Sequence, residues 1–195
     1  EKISPKKVKK PSSSFAILNI PRRFTHTGTN PLDQVTYVSR SSVINNPDGS
    51  VVFQMKEVKV PESWSQLATD IAASKYFRKA GVPGTGRETS VRQLVHRVAH
   101  TLRSAGETLG GYFKTKEEAD TFEAELADLL IHQKGAFNSP VWFNCGLFHE
   151  YKISGSGGNW AWNPRTGEEE ETKDSYSRPQ CSACFIQSVQ DDLMS

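Results

Sequence analysis

Two short apolar runs, Val43-Ile44 and Val51-Val52-Phe53, flank the tetrapeptide Asn46-Pro47-Asp48-Gly49. Pro presets φ and Gly accepts φ > 0, so residues 35–60 read as a β-hairpin. Val58 and Val60 carry its second arm as far as Pro61. The apolar spacing then becomes helical. Ser63 with Gln66 forms a candidate capping box, and Trp64, Leu67, Ala68, Ile71, Ala72 and Lys75 share one face as far as Gly81. Ser90 with Gln93 repeats the pattern ahead of Val91, Leu94, Val95, Val98, Ala99 and Leu102, a stripe that Gly106 closes. Thr115 with Glu118 opens a third helix, with Ala119, Phe122, Leu126, Leu129 and Leu130 on one side and Gly135 as its stop. Two such helices in succession predict a helical hairpin that must bury its stripes.

Later segments carry weaker patterns. Residues 136–146 are apolar and bounded by glycine, and read as a strand that Asn138 and Ser139 introduce through a turn. The same amide and hydroxyl also suit hydrogen bonding to a polar ligand. Residues 154–180 are poor in aliphatics and read as a long loop. Its Glu168 to Glu171 point in different directions and read as a solvated acidic run. Phe185-Ile186-Gln187-Ser188-Val189 looks like a buried strand, ended by Asp191 and Asp192.

Composition narrows the class without deciding it. Leu, Ile, Val and Phe make up about 22% of the chain, just above the roughly 20% below which chains tend to stay disordered. A length of 195 residues suits one domain and part of another. The net charge is +2 but uneven: residues 1–60 carry 10 basic and 4 acidic side chains, residues 145–195 carry 4 and 8. The cluster Lys6, Lys7, Lys9 and Lys10 beside Pro11 and three serines reads as a solvated tail, with no aromatic or Arg stripe to stack bases. Arg92, Arg97 and Arg103 lie off the apolar face of the second helix, without the short turn of a helix-turn-helix, and read as a solvated face. Gly81, Gly84 and Gly86 lack phosphate-loop spacing. Direct nucleic-acid binding is not expected. Nor is a membrane span or signal peptide, and three cysteines are too few for a secreted disulfide framework. A soluble cytoplasmic protein is the expectation. Starting at Glu1 and stopping at Ser195, the chain reads as a piece of something longer.

Candidate chemistry concentrates at Cys181-Ser182-Ala183-Cys184. Four readings stay open. The motif is half of a zinc site that would recruit Cys145, a His or later residues; a thioredoxin-like pair, which wants a helix N-terminus; one functional cysteine at the start of a strand; or two inert thiols. If the strand at 185 includes Cys181, the two Cα atoms lie roughly 10 Å apart with side chains on opposite faces. A disulfide tolerates about 7 Å.

Two blocks resemble a known family. Phe137-Asn138-Ser139-Pro140-Val141-Trp142-Phe143-Asn144 and Pro179-Gln180-Cys181-Ser182-Ala183-Cys184-Phe185-Ile186-Gln187-Ser188-Val189 resemble the class II, adenosylcobalamin-dependent ribonucleotide reductases. Lys75 to Pro83 and the helix opening Ser90-Val91-Arg92-Gln93-Leu94 are similar to that family's N-terminal region.

The resemblance implies an α+β fold: a mainly helical N-terminal domain with a β-hairpin, leading into the first strands of a ten-stranded α/β barrel that continues beyond the chain. With the residue readings above, 1–34 would be a basic, flexible N-terminal segment and 35–135 the hairpin and helical domain; the resemblance makes 136–195 the start of the catalytic barrel with its 154–180 loop. By the same resemblance Cys184 is one of a reducible cysteine pair, its partner lying beyond the chain end. Ser139, Ala183 and Cys184 contact the ribonucleotide substrate. Adenosylcobalamin would be bound mainly by parts beyond residue 195. A thioredoxin-like or dithiol reductant, deoxyribonucleotide supply for DNA replication, and a homodimer of the full-length enzyme also follow. No metal ligand is assigned, and the fragment alone is expected to be inactive. Two rivals remain: a non-catalytic helical module for binding or assembly, and a small zinc-binding domain using Cys181 and Cys184.

Overall fold

The hairpin forms where its turn chemistry places it. A computed structural model describes residues 19–163 and 166–184. In it β1 (Tyr37–Asn45) pairs antiparallel with β2 (Val51–Pro61), from Tyr37 opposite Pro61 to Asn45 opposite Val51. The Gly49 amide donates to the Asn46 carbonyl at 2.9 Å, and Asp48 Oδ1 accepts from the Ser50 amide at 2.8 Å. The register slips between Arg40 and Ser42, and beside that slip Glu57 sits at φ 59. The bulge has a packing consequence. Met55 and Val58, three residues apart, would point to opposite faces of a regular strand; the extra residue lets both, with Val60, enter the core.

α1 (Gln66–Ile71) is capped by Ser65, whose side chain accepts from the Ala68 amide, rather than by Ser63. It widens into a π-helical turn over Ala72–Tyr76 and stops at extended Phe77, short of the expected Gly81. The wider turn slips the phase of the apolar stripe. Ala72, Ala73 and Phe77 are buried, while the expected stripe residues Leu67 and Ile71 face solvent. Trp64 keeps its role, donating from Nε1 to the Ile131 carbonyl at 2.8 Å.

α2 (Val91–Leu109) and α3 (Lys116–Ile131) start at the expected capping boxes, Ser90 with Gln93 and Thr115 with Glu118. α2 runs through Gly106 to end at Gly110, and α3 ends four residues before Gly135, with Gln133 at φ 56 turning the chain. Val91, Leu94, Val95, Val98 and Ala99 pack with Ala127, Leu130 and Ile131 and with the hairpin's inner face in one core. Arg97 corrects the sequence reading: it is fully buried, because a second layer of chain covers the side of α2 away from the apolar stripe. Residues 24–33, expected to belong to a flexible segment, are pinned to α3. Glu125 accepts from the Thr25 amide at 2.9 Å and the Thr25 hydroxyl at 2.6 Å, and Leu32 is buried.

The region after α3 departs most from expectation. Residues 139–144 form a helix, α4 (Ser139–Asn144), not a strand. Asn138 is its N-cap and Pro140 lies in its first turn, where a missing N–H costs nothing. Gly146 at φ 83 then turns the chain into α5 (Leu147–Tyr151). The expected 154–180 loop contains a second hairpin, β3 (Asn159–Asn163) with β4 (Glu168–Thr172), in which Trp160 faces Glu171 across the ladder and Trp162 faces Glu169. The acidic run is therefore a strand. Residues 181–184 have no regular structure, and the strand read at 185–189 lies outside the described residues. The described residues form a mixed fold of helices and two small antiparallel sheets. Among the described residues no helix is long and apolar enough to cross a membrane.

Candidate functional site

The two sequence blocks that carry candidate chemistry meet at the end of α4. Asn144 Nδ2 donates to the Gln180 carbonyl at 2.9 Å. One residue on, the buried Cys145 thiol hydrogen-bonds the sulfur of half-buried Cys181. The hydrogen bond to Cys181 and then burial push the Cys145 thiol well above its usual range, while accepting that bond lowers Cys181. Cys181 is thus fixed against the core, and Cys184, three residues later, is exposed.

Ser139 occupies the first position of α4, half-buried, with its hydroxyl 3.2 Å from Tyr76 Oη. Tyr76 packs against Trp142 and Phe143 of the same helix. Beside them opens a cleft of about 450 Å3, lined by Lys75, Arg78, Lys79, Phe143, Asn144 and Tyr176. Three cationic side chains at one opening favour an anionic guest. Lys79 Nζ lies 4.6 Å from the Phe53 ring centroid, and burial pulls its pKa below the usual lysine range. Arg78 lies over the Tyr176 ring at 5.5 Å.

Beyond the packing of Val141, Trp142 and Cys145 in the core, a buried ion pair ties α4 and α5 in place. Arg97 Nε donates to Glu88 Oε1 at 2.8 Å, and both side chains are fully buried. The guanidinium also donates to the carbonyls of Trp142 and Cys145, at the end of α4. Glu88 accepts from the Arg78 amide at 2.7 Å and from Tyr151 Oη, on α5, at 2.8 Å. Burial and the Glu88 charge push the Tyr151 phenol far above its usual value. One pair therefore joins α2, the 78–88 loop, α4 and α5. Gly146 is held here too, since a Cβ would lie 2.5 Å from Arg97 Cγ and 2.6 Å from the Arg97 carbonyl.

Of the sequence-predicted residues, Ser139 sits on α4, and Ala183 and Cys184 are exposed on the irregular segment that α4 anchors. The contacts that join the two blocks run through Asn144 and Cys145. Sequence reasoning missed Tyr76, the Arg97–Glu88 pair and the Cys145–Cys181 contact. No local spacing signals them, because their partners lie 9 to 63 residues away.

A family model described as class II vitamin B12-dependent ribonucleotide reductase matches residues 38–133, from β1 to the end of α3. Among curated proteins, the vitamin B12-dependent ribonucleotide reductase of Rhodopirellula baltica is 43% identical across 85% of this chain. That of Agrobacterium fabrum is 40% identical across 91%, and that of Streptomyces avermitilis 45% across 70%. The chain belongs to the class II ribonucleotide reductases, as an N-terminal portion. It spans only 16% of the length of the first two relatives and 14% of the third. At 91% of this chain, the Agrobacterium match runs past the family model through α4 and α5. Within this class II reductase portion, the part outside the family model is the part that carries Ser139 and the three cysteines.

Proposed function

We propose that the chain is the N-terminal part of an enzyme that reduces ribonucleotides to deoxyribonucleotides by a cobalamin-initiated radical mechanism. Residues 35–135 serve as its helical N-terminal domain, and the stretch from 136 onward leads into a ten-stranded catalytic barrel that continues beyond residue 195. The observation that carries this reading is the junction of the two blocks: Asn144–Gln180 and Cys145–Cys181 fix the segment that bears Cys184 against the helix that bears Ser139.

In this reading Cys184 is the reducible thiol that the substrate's 2′-hydroxyl meets. Two cysteine thiols give up two electrons and two protons to become a disulfide, the 2′-oxygen leaves as water, and a C–H replaces the C–OH bond. The partner thiol lies beyond Ser195, and an external dithiol or thioredoxin-like protein resets the pair. Ala183, next to Cys184, contacts the substrate in this reading. Ser139 offers the substrate a hydroxyl that Tyr76 already orients. Adenosylcobalamin is assigned mainly to parts of the enzyme beyond residue 195. When bound there, it supplies the one-electron initiation. The full-length enzyme acts in the cytoplasm, in this reading as a homodimer.

The test uses the full-length enzyme. Cys184→Ser abolishes multiple-turnover reduction while substrate still binds, because a serine cannot enter a disulfide. Cys181→Ser keeps most activity, with losses traceable to the contact with Cys145. Disulfides trapped after one turnover without reductant map to Cys184 and a cysteine beyond Ser195; a stoichiometric Cys181–Cys184 bridge overturns the assignment. Ser139→Ala weakens equilibrium nucleotide binding by about 1–3 kcal/mol, the cost of leaving a polar partner unsatisfied, with little change in melting temperature.

A further inference from the structure

Three imidazoles converge on one carboxylate of α5, that of Glu150. His149 Nε2 and His100 Nε2 lie 3.5 and 3.9 Å from Glu150 Oε1, and His96 Nε2 lies 3.6 Å from the other oxygen, Oε2. His96 and His100 are one helical turn apart on α2, with their rings stacked at 5.2 Å. One nitrogen from each of His100 and His149 and one Glu150 oxygen lie within 4.8 Å of one another. Nothing in the proposed reductase chemistry uses these groups.

We propose that His100, His149 and Glu150 form a binding site for a divalent transition metal, with Zn2+ the best match. Imidazole and carboxylate together suit zinc, and bonds of about 2.0–2.2 Å place the ligand atoms of a tetrahedral site about 3.4 Å apart. The two imidazole–carboxylate spacings here, 3.5 and 3.9 Å, are wider by a few tenths of an ångström or less. All three ligand atoms lie within 4.8 Å of one another, and rotation of the 43% exposed His149 would close the remaining gap. Two histidines and one glutamate leave a fourth position for water.

The surroundings are those of a ligand set rather than of chance neighbours. A metal-binding histidine characteristically gives its other ring nitrogen to a carboxylate, which fixes its orientation. His100 does so: its Nδ1 lies 3.1 Å from Glu123 Oε1 on α3, leaving Nε2 aimed at Glu150. Glu123 is itself held by Arg103 at 2.8 Å. His96 occupies Glu150 Oε2, so that Oε1 faces the other two ligands. A bound ion would clip α5 to α2, and through Gly146 and Cys145 would tighten the seat of α4. It would also neutralise a carboxylate that three imidazoles now share.

The experiment is zinc titration of the full-length protein after chelator treatment, with elemental analysis of the dialysed product. The wild-type protein retains one more Zn2+ per chain than the His100→Ala/His149→Ala variant, whose circular dichroism spectrum is unchanged. His149→Gln alone, at an exposed position, gives the same loss should the double variant unfold. Glu123→Gln leaves the stoichiometry intact but weakens binding about 10–100-fold, the effect of losing an orienting carboxylate. Equal zinc content in wild type and His149→Gln overturns the proposal. So does zinc that is lost with Cys181→Ser or Cys184→Ser and kept by the histidine variants.

Discussion

The region from β1 to α3 and the region from α4 to Cys184 hold together by different means. In the first, each element carries its own instructions: turn residues, two capping boxes and an apolar stripe at helical spacing, all packed into one core. In the second, α4 and α5 are six and five residues long, too short to be stable by propensity. Val141, Trp142 and Cys145 join the same core, and polar groups far away in sequence, above all Arg97 and Glu88, add the ties that fix the two helices. The segment that bears Cys184 is thus anchored to the helical base through α4, by shared core packing and a few buried polar ties. Those ties are the part that substitutions should expose.

The largest effect expected is at the ion pair. Arg97→Met leaves Glu88 buried without its counterion, a change that costs about 3–5 kcal/mol. Leu94→Ala, in the middle of the α2 stripe, costs a similar about 2–5 kcal/mol by opening a cavity. Total stability does not separate the two regions, but hydrogen exchange does. Arg97→Met is expected to speed exchange first across residues 139–151 and to expose Cys145 to thiol reagents, with α2 and α3 retaining protection. Leu94→Ala should loosen the core as a unit. Uniform exchange in both variants would mean that the two regions fold as one.

Helix caps sharpen the contrast at smaller cost. Ser90→Ala removes half of a capping box and is expected to destabilise by about 1 kcal/mol in urea unfolding. Asn138→Ala removes a single bond that is already long, 3.4 Å to the Val141 amide. Its effect on global stability should be smaller than that of Ser90→Ala, because α4 is held from above by Arg97. An Asn138→Ala effect larger than that of Ser90→Ala would mean that α4 depends on its own cap.

The same division explains what could be read from the sequence. β1, β2, α2 and α3 announce themselves, since hairpin turns and capping boxes act within four residues. α1 was legible in place but not in phase: a π-helical turn at Ala72 rotates which residues are buried, and no spacing rule anticipates it. Residues 136–145 read as strand because a short apolar run has the same appearance in either state. Asn138 followed by Pro140 was the helix-start signal that would have corrected this. Arg97 read as solvated because its burial depends on chain that arrives 45 residues later. At the candidate site, Ser139 and Cys184 came from motif resemblance, whereas Tyr76 and the Cys145–Cys181 contact exist only once the chain is folded.

The smallest effect concerns Glu125, a polar tie inside the helical region itself. Burial alone would raise its pKa, but the Thr25 hydroxyl and the amides of Phe24, Arg23 and Thr25 all favour the carboxylate, and the balance leaves the pKa below the usual glutamate value. A group whose folded pKa is depressed contributes stability that is fully present above its unfolded pKa, about 4.3, and is lost as pH falls through the folded one. The wild-type protein should therefore lose stability in acid more steeply than Glu125→Gln, which carries no titrating group there. The two stability curves should run parallel near neutral pH and converge below pH about 4, the window set by the unfolded glutamate. Exchange of the Phe24 and Thr25 amides, which donate to this carboxylate, should rise in the same window. Parallel curves all the way into acid would show that Thr25 and its neighbours are held by packing, and that polar ties matter only around α4.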